Sequence, residues 1–296
     1  MMPPLVERAP AKVNLTLRLR ARRDDGWHEI ESLVAFAQVA DRLTLKTGHP
    51  LGLAVRGADR EACGPVAGNL IIKAAQALAA RIPNLQLGHF ILLKRIPVAG
   101  GLGGGSSDAA AALRLLARAN DLAPDDARLV EAAREIGADV PVCLDTKPRV
   151  MRGIGDLLSE PTSLPKLAAV LVNPGVPLAT NAVFAAFDRA ADLEASPYLF
   201  ARSEISAIPH ERKALLAFLE QQPNDLEPAA ISRAPVIADV LSALRGLPEC
   251  RLARMSGSGA TCFVLCDSAR AAKAVAARLA ADHPGWWVRA TTLGAA

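Results

Sequence analysis

Between Pro97 and Asp108 the chain reads Pro-Val-Ala-Gly-Gly-Leu-Gly-Gly-Gly-Ser-Ser-Asp, with five glycines in the six positions 100–105. Glycine loses more backbone entropy on folding than any other residue, so such density needs a structural reason. That reason is close approach. Without Cβ atoms, successive N–H groups can turn toward one anion, and a following helix adds the partial positive charge of its N-terminus. Phe90-Ile91-Leu92-Leu93-Lys94 reads as a strand entering the loop, and the alanine- and leucine-rich run from Asp108 to Ala119 as the helix leaving it. Ser106 and Ser107 are expected to cap that helix or to offer hydroxyls to phosphate oxygens or a metal. A flexible linker would not be framed by a strand and a helix.

Two familiar phosphate loops are excluded by spacing. The Walker pattern ends in Gly-Lys-Ser/Thr, whereas Gly105 is followed by Ser106. The dinucleotide fingerprint needs glycines at i, i+2 and i+5; from Gly101 the last position is Ser106, and from Gly103 it is Asp108. An NAD-linked oxidoreductase is thereby excluded. No Gly-x-Ser-x-Gly elbow occurs, which argues against a hydrolase of that type. A second cluster, Met255-Ser256-Gly257-Ser258-Gly259-Ala260, lies between two expected strands. Alone it would be a hairpin turn; beside the first loop it is a candidate second wall of one phosphate site.

Bulk properties narrow the class. The 296 residues suit one large domain or two smaller ones, and 51% hydrophobic with 22% charged residues is the balance of a folded globular protein. A net charge of +4, spread without a basic run, and only 4% aromatics do not make a nucleic-acid surface. No run of about 18 apolar residues spans a membrane, and the N-terminus lacks the apolar core of a signal peptide. The five cysteines, Cys63, Cys143, Cys250, Cys262 and Cys266, include no CxxC pair and read as reduced packing thiols in a cytoplasmic protein.

Along the chain, Val13 to Leu19 alternates as a half-buried strand, with further strands at Ile30 to Ala40 and Leu43 to Leu45. Asn69 to Ala80 has helix composition with Asn69 as N-cap, and a second helix runs from about Asp125 to Ile136, stopping at Gly137. A proline-bearing connector near Ser159 to Pro165 places a boundary between domains 1–160 and 161–296. Strands are expected at Leu167 to Val172, Arg251 to Met255, Thr261 to Cys266 and Trp287 to Thr292. Helices are expected at Asn181 to Ala190, His210 to Gln221, Ile237 to Arg245 and Ala269 to Ala281. Strands and helices in both halves point to α+β rather than a doubly wound sheet.

Taken together, Ala9-Pro10-Ala11-Lys12-Val13-Asn14-Leu15, the loop and helix from Pro97 to Ala112, and Ser256 to Ala260 resemble, in that order, the three motifs of the GHMP kinases. Asp25-Gly26-Trp27-His28-Glu29, Asn69-Leu70-Ile71, Gly137-Ala138-Asp139-Val140-Pro141-Val142 and Asn224-Asp225-Leu226-Glu227 draw the resemblance toward the branch whose acceptor carries a cytidine diphosphate group. The resemblance implies an α+β fold with an N-terminal domain like domain 2 of ribosomal protein S5 and a ferredoxin-like C-terminal domain. It implies transfer of the ATP γ-phosphoryl group to the 2-hydroxyl of that acceptor, in the non-mevalonate route to isoprenoid precursors. Asp139 would be the base and Lys12 its partner, facing the γ-phosphoryl oxygens.

By the same resemblance, Pro97, Val98, Ala99, Gly100, Gly101, Leu102, Gly103, Gly104, Gly105, Ser106 and Ser107 would hold ATP phosphates, with Asn69, Leu70 and Lys94 toward adenosine. Asn14, Trp27, His28, Phe184, Gly257, Ser258 and Gly259 would bind the acceptor, Trp27 and Phe184 about the cytosine and His28 at its polar edge. Trp27 departs from the family's usual tyrosine but still offers a stacking face. Mg²⁺ is expected with ATP, and its protein ligands stay undefined. The expected partner is the small molecule, with no nucleic acid and no membrane, and the chain a monomer or homodimer. A homoserine or mevalonate acceptor, or a non-catalytic nucleotide-binding regulator, are the competing readings.

Overall fold

The computed structural model describes residues 3–190 and 205–294. In chain order, β1 (Leu5–Asn14), β2 (Arg18–Arg22), β3 (His28–Thr47), β4 (Gly52–Arg56), α1 (Leu70–Arg81), β5 (Gly88–Leu93), α2 (Gly104–Ala119) and α3 (Ala127–Ile136) come first. Then follow β6 (Arg149–Arg152), β7 (Leu157–Leu158), β8 (Leu167–Asn173), α4 (Thr180–Ala190), α5 (Arg212–Glu220), α6 (Glu227–Arg233), α7 (Val236–Arg245), β9 (Leu252–Met255), β10 (Cys262–Cys266), α8 (Ala269–Asp282) and β11 (Trp287–Gly294). Strands and helices mix throughout, so the class is α+β. Among the described residues no helix is long and apolar enough to cross a membrane.

Two compact units interleave along the sequence. The first comprises 1–12, 39–98 and 103–146; the second comprises 13–38, 99–102 and 147–296. A single cut at 160/161 divides the sequence, whereas these units exchange segments at several points. In the first unit β5 pairs antiparallel with the C-terminal part of β3 and parallel with β4. Helix α1 packs on α2 and α3, burying Ile71, Ala74, Ala75 and Leu78 along one stripe. Its start is fixed as the sequence predicts: Asn69 Oδ1 accepts from the Ile71 N–H at 3.0 Å. Asp126 caps α3 in the same way, and that helix ends at Gly137.

The second unit is built on the antiparallel set β11–β8–β10–β9. All seven residues of β8 are buried, as expected of a strand covered on both faces. Helix α8 packs on β8 and β11, α7 on β9 and β10, and α4 on α6. Cys262 and Cys266 lie in the core that results, both thiols free, in agreement with packing cysteines.

Several expectations are corrected. The strand expected over Val13 to Leu19 is broken. The chain leaves β1 at Asn14, Leu15 N–H bonds Leu33 O, Thr16 Oγ1 accepts from Leu33 N–H, and β2 begins only at Arg18. The two strands expected within residues 30–45 are one strand of 20 residues, β3. Helix α2 begins at Gly104 rather than Asp108, and its N-cap is Gly103 without a side-chain bond, so Ser106 and Ser107 lie in the first turn and do not cap it. The short β4, β6, β7 and α6 were not anticipated.

Candidate active site

In the first unit Lys12, at the end of β1, is buried, and its Nζ donates to Asp139 Oδ1 at 2.8 Å. Asp139 lies in the turn after α3, with 41% of its side chain exposed. The pair meets the start of α2: Gly103, at φ 58°, lies so near that a Cβ placed there would stand 3.1 Å from Lys12 Cε. A left-handed glycine at this cap therefore lets the aliphatic stem of Lys12 pack against the start of α2, and a helix N-terminus favours an anion. Within that turn the Ser107 hydroxyl is buried and has no hydrogen-bond partner among the described residues, a polar atom suited to a phosphate oxygen or the ion it carries. Among the described residues no group of three or more His, Cys, Asp or Glu is placed to hold a metal ion.

Lys94 lies below the same helix start. Its ammonium is buried and donates to Asp41 Oδ2 at 2.6 Å and Asp108 Oδ2 at 2.8 Å. Burial by itself lowers the Lys94 pKa, but Asp108 and Asp41 outweigh it and hold the amine above its ordinary value. Asp41 also accepts from the Arg95 and Ile96 N–H groups, which fixes the chain leaving β5 toward Pro97 and Val98. Lys94, expected to face adenosine, thus has its ammonium committed to two carboxylates, and the Asn69 side chain is engaged as the α1 cap. Leu70 opens α1 and comes near the α2 start, its Cδ1 3.5 Å from where a Gly105 Cβ would stand.

In the second unit the turn Ala99–Leu102 packs against the second glycine cluster. Thr261 N–H donates to Gly100 O at 3.1 Å, and Ser256 Oγ donates to Gly101 O at 3.0 Å. Gly101, at φ 73°, admits no side chain, because a Cβ would stand 2.5 Å from Ser256 O. Residues 99–102 and the second glycine cluster thus pack together within this unit. Asn224 braces the cluster: its Nδ2 donates to Met255 O and Gly257 O at 2.9 and 2.8 Å, while Glu227 Oε2 accepts from Met255 N–H. The Asn224 to Glu227 motif is thus scaffold for the turn. Asn14 bonds Ser32 Oγ through Nδ2 at 2.7 Å, its N–H donates to Ser256 Oγ, and Ser258 Oγ meets Thr180 Oγ1 at 2.9 Å.

The aromatic group also assembles in the second unit. His28 is buried at the start of β3, with Phe184 at 5.1 Å between ring centroids and Phe187 edge-on at 6.1 Å. Trp27 is 59% exposed, so it is not a core residue. Phe184 is shared between the His28 ring and the core of the unit. Sequence reasoning missed Asp41, Asp108 and Asp188, the carboxylates that hold Lys94 and His28.

A family model described as the GHMP kinases N terminal domain matches residues 69–147, and one described as GHMP kinases C terminal matches residues 205–285. The chain is 55% identical over 295 residues to a 4-diphosphocytidyl-2-C-methyl-D-erythritol kinase of Azorhizobium caulinodans, covering 98% of this chain and 99% of that one. A solved 4-(cytidine 5'-diphospho)-2C-methyl-D-erythritol kinase matches at TM-score 0.71 and 34% identity, covering 99% of this chain and 100% of that chain. A homoserine kinase from Cytophaga hutchinsonii also matches at 0.71, with 18% identity over 100% of this chain and 96% of that chain. That second likeness is one of fold, and the equal scores show that fold does not separate acceptors.

Proposed function

The chain belongs to the GHMP kinases, and from that premise we propose that it transfers the γ-phosphoryl group of ATP to the 2-hydroxyl of 4-diphosphocytidyl-2-C-methyl-D-erythritol. The products are the 2-phosphate and ADP, in the non-mevalonate route to isoprenoid precursors. The observation that carries the reading is the Lys12–Asp139 contact beside the glycine-capped start of α2. Phosphoryl transfer needs an oriented hydroxyl, a place for its proton and positive groups facing the phosphate charge.

In the reaction the acceptor oxygen forms a bond to the γ-phosphorus while the bond from that phosphorus to the β–γ bridging oxygen breaks. Asp139 takes the hydroxyl proton, and ADP leaves with the bond's electron pair. Lys12 holds the carboxylate in place and faces the equatorial phosphoryl oxygens. The N–H groups of Gly104, Gly105 and Ser106 receive the phosphates, with Pro97 to Gly103 shaping the approach. Mg²⁺, brought by ATP, would supply charge neutralisation on the phosphate oxygens, and Ser107 in the first turn of α2 is a residue that would hold it. Asn69, Leu70 and Lys94 flank adenosine by position; the Lys94 ammonium itself acts on the loop. In the second unit Trp27, His28 and Phe184 take the cytosine, and Asn14, Gly257, Ser258 and Gly259 take the rest of the acceptor. We place the enzyme in the cytoplasm, with reduced thiols, as a monomer or homodimer.

ADP release from Mg-ATP, followed with a panel of acceptors, tests the reading. Release is expected with 4-diphosphocytidyl-2-C-methyl-D-erythritol and not with homoserine or mevalonate. A higher kcat/KM for either of those two would replace the acceptor, and ATP binding without turnover on any of the three would point to a regulator.

A further inference from the structure

His28 has a second partner besides the aromatic rings. Its Nε2 lies 2.6 Å from Asp188 Oδ1, with the imidazole side chain 4% and the carboxylate 24% exposed. Helical spacing explains the meeting. Phe184 and Asp188 are four residues apart on α4, so they project from one face and reach the same ring. A carboxylate oxygen only accepts, so the hydrogen in this bond sits on Nε2. In a neutral imidazole that leaves Nδ1 as a lone-pair acceptor, because the partner of one ring nitrogen fixes the state of the other. No hydrogen bond engages Nδ1 among the described residues.

The two pyrimidines differ at the edge such an acceptor would meet. Cytosine presents a 4-amino donor, whereas uracil presents a carbonyl oxygen at that position. A lone pair accepts from the first and repels the second. We propose that Asp188 is a positioning residue that fixes His28 in the Nε2-protonated tautomer and thereby makes the acceptor site select cytidine over uridine. The proposal rests on the reading that His28 meets the base. Phe184, tilted 35° to the imidazole, and Phe187, edge-on to it, pack against the ring, and Asp188 is the hydrogen-bond partner that sets its tautomer.

Steady-state kinetics with the cytidine acceptor and its uridine counterpart test this. Asp188→Ala should raise the cytidine acceptor's KM about tenfold, the effect of losing one hydrogen bond of ordinary strength, while kcat and the KM for ATP stay within about twofold. Asp188→Asn, whose amide N–H can donate to Nε2, should favour the Nδ1-protonated tautomer. The cytidine-to-uridine ratio of kcat/KM should then fall about tenfold or more. A carboxylate that merely ties α4 to β3 would lower stability and leave that ratio unmoved, which would overturn the proposal. His28→Ala separates the two layers: if it leaves the acceptor's KM unchanged, the base-contact reading itself fails. If it raises that KM while Asp188→Asn leaves selectivity intact, only the role of Asp188 fails. Should the Asp188 variants fold poorly, long-range ¹⁵N NMR of His28 in the unaltered chain decides, with an Nδ1-protonated signature refuting the proposal.

Discussion

Two lysine–carboxylate assemblies lie in the first unit, and water treats them differently. Lys12 and Asp139 meet at 2.8 Å with 41% of the aspartate side chain open, whereas Asp41 and Asp108 enclose Lys94 with 0% and 5% exposed. The contact distances are alike, so distance does not tell them apart. Access does. An open carboxylate can exchange a proton with an incoming hydroxyl, while a sealed one can only fix structure, here the chain entering the loop at Arg95 and Ile96. Proximity of an amine and an acid therefore marks a reactive pair only where one member reaches solvent.

The hardest test of this contrast is Asp139→Asn. It should lower kcat by about a hundred- to ten-thousandfold while the denaturation midpoint stays near that of the unaltered chain. Turnover within tenfold of the unaltered chain would remove Asp139 from the proton's path. Lys94→Met should do the opposite, leaving two buried carboxylates uncompensated and costing about 3–5 kcal/mol of stability. Chemical denaturation reads that loss, and the same measurement on Lys12→Met should give a clearly smaller one. Equal losses would erase the distinction.

The smallest expected effect is in pH. Burial raises the Asp108 carboxyl above the ordinary carboxylate range, with Lys94 pulling the other way and Asp41 adding to the rise. A carboxyl raised by folding supports the fold while protonated, and that support fades as pH climbs above about 4 and through its folded value. Lys94 stays charged throughout, since its own pKa is raised. Asp108→Asn, which lacks this titration, should therefore gain on the unaltered chain between about pH 5 and pH 8 in urea denaturation. A stability gap that narrows the other way would mean that the triad holds no surplus negative charge.

What the sequence disclosed, it disclosed through local rules. Asn69 before an apolar stripe gave α1 and its cap, and glycine density gave the two turns, because each signal lies within a few residues. The start of α2 was misplaced because Gly104-Gly105-Ser106 are poor helix formers, and packing overrides their preference. The continuity of β3 was hidden at Asp41, a residue that reads as a break until its carboxylate is seen bonding Lys94, 53 positions away. No sequence period announces a contact of that kind. Asp188 was within reach, since it follows Phe184 by one helical turn on a segment already read as helix. Trp27 was legible as a residue type but not in its exposure, which depends on the turn between β2 and β3.

The crowding at Gly101 sets a practical boundary for redesign. Any larger residue there would drive into the backbone carbonyls of Ser256 and Gly259, so randomising positions 99–102 would mostly return chains that cannot close that turn. Trp27, by contrast, stands in the open on a short connector. A library aimed at new acceptors would keep Gly101 constant and vary Trp27, whose exposed side chain can change without driving into the main chain.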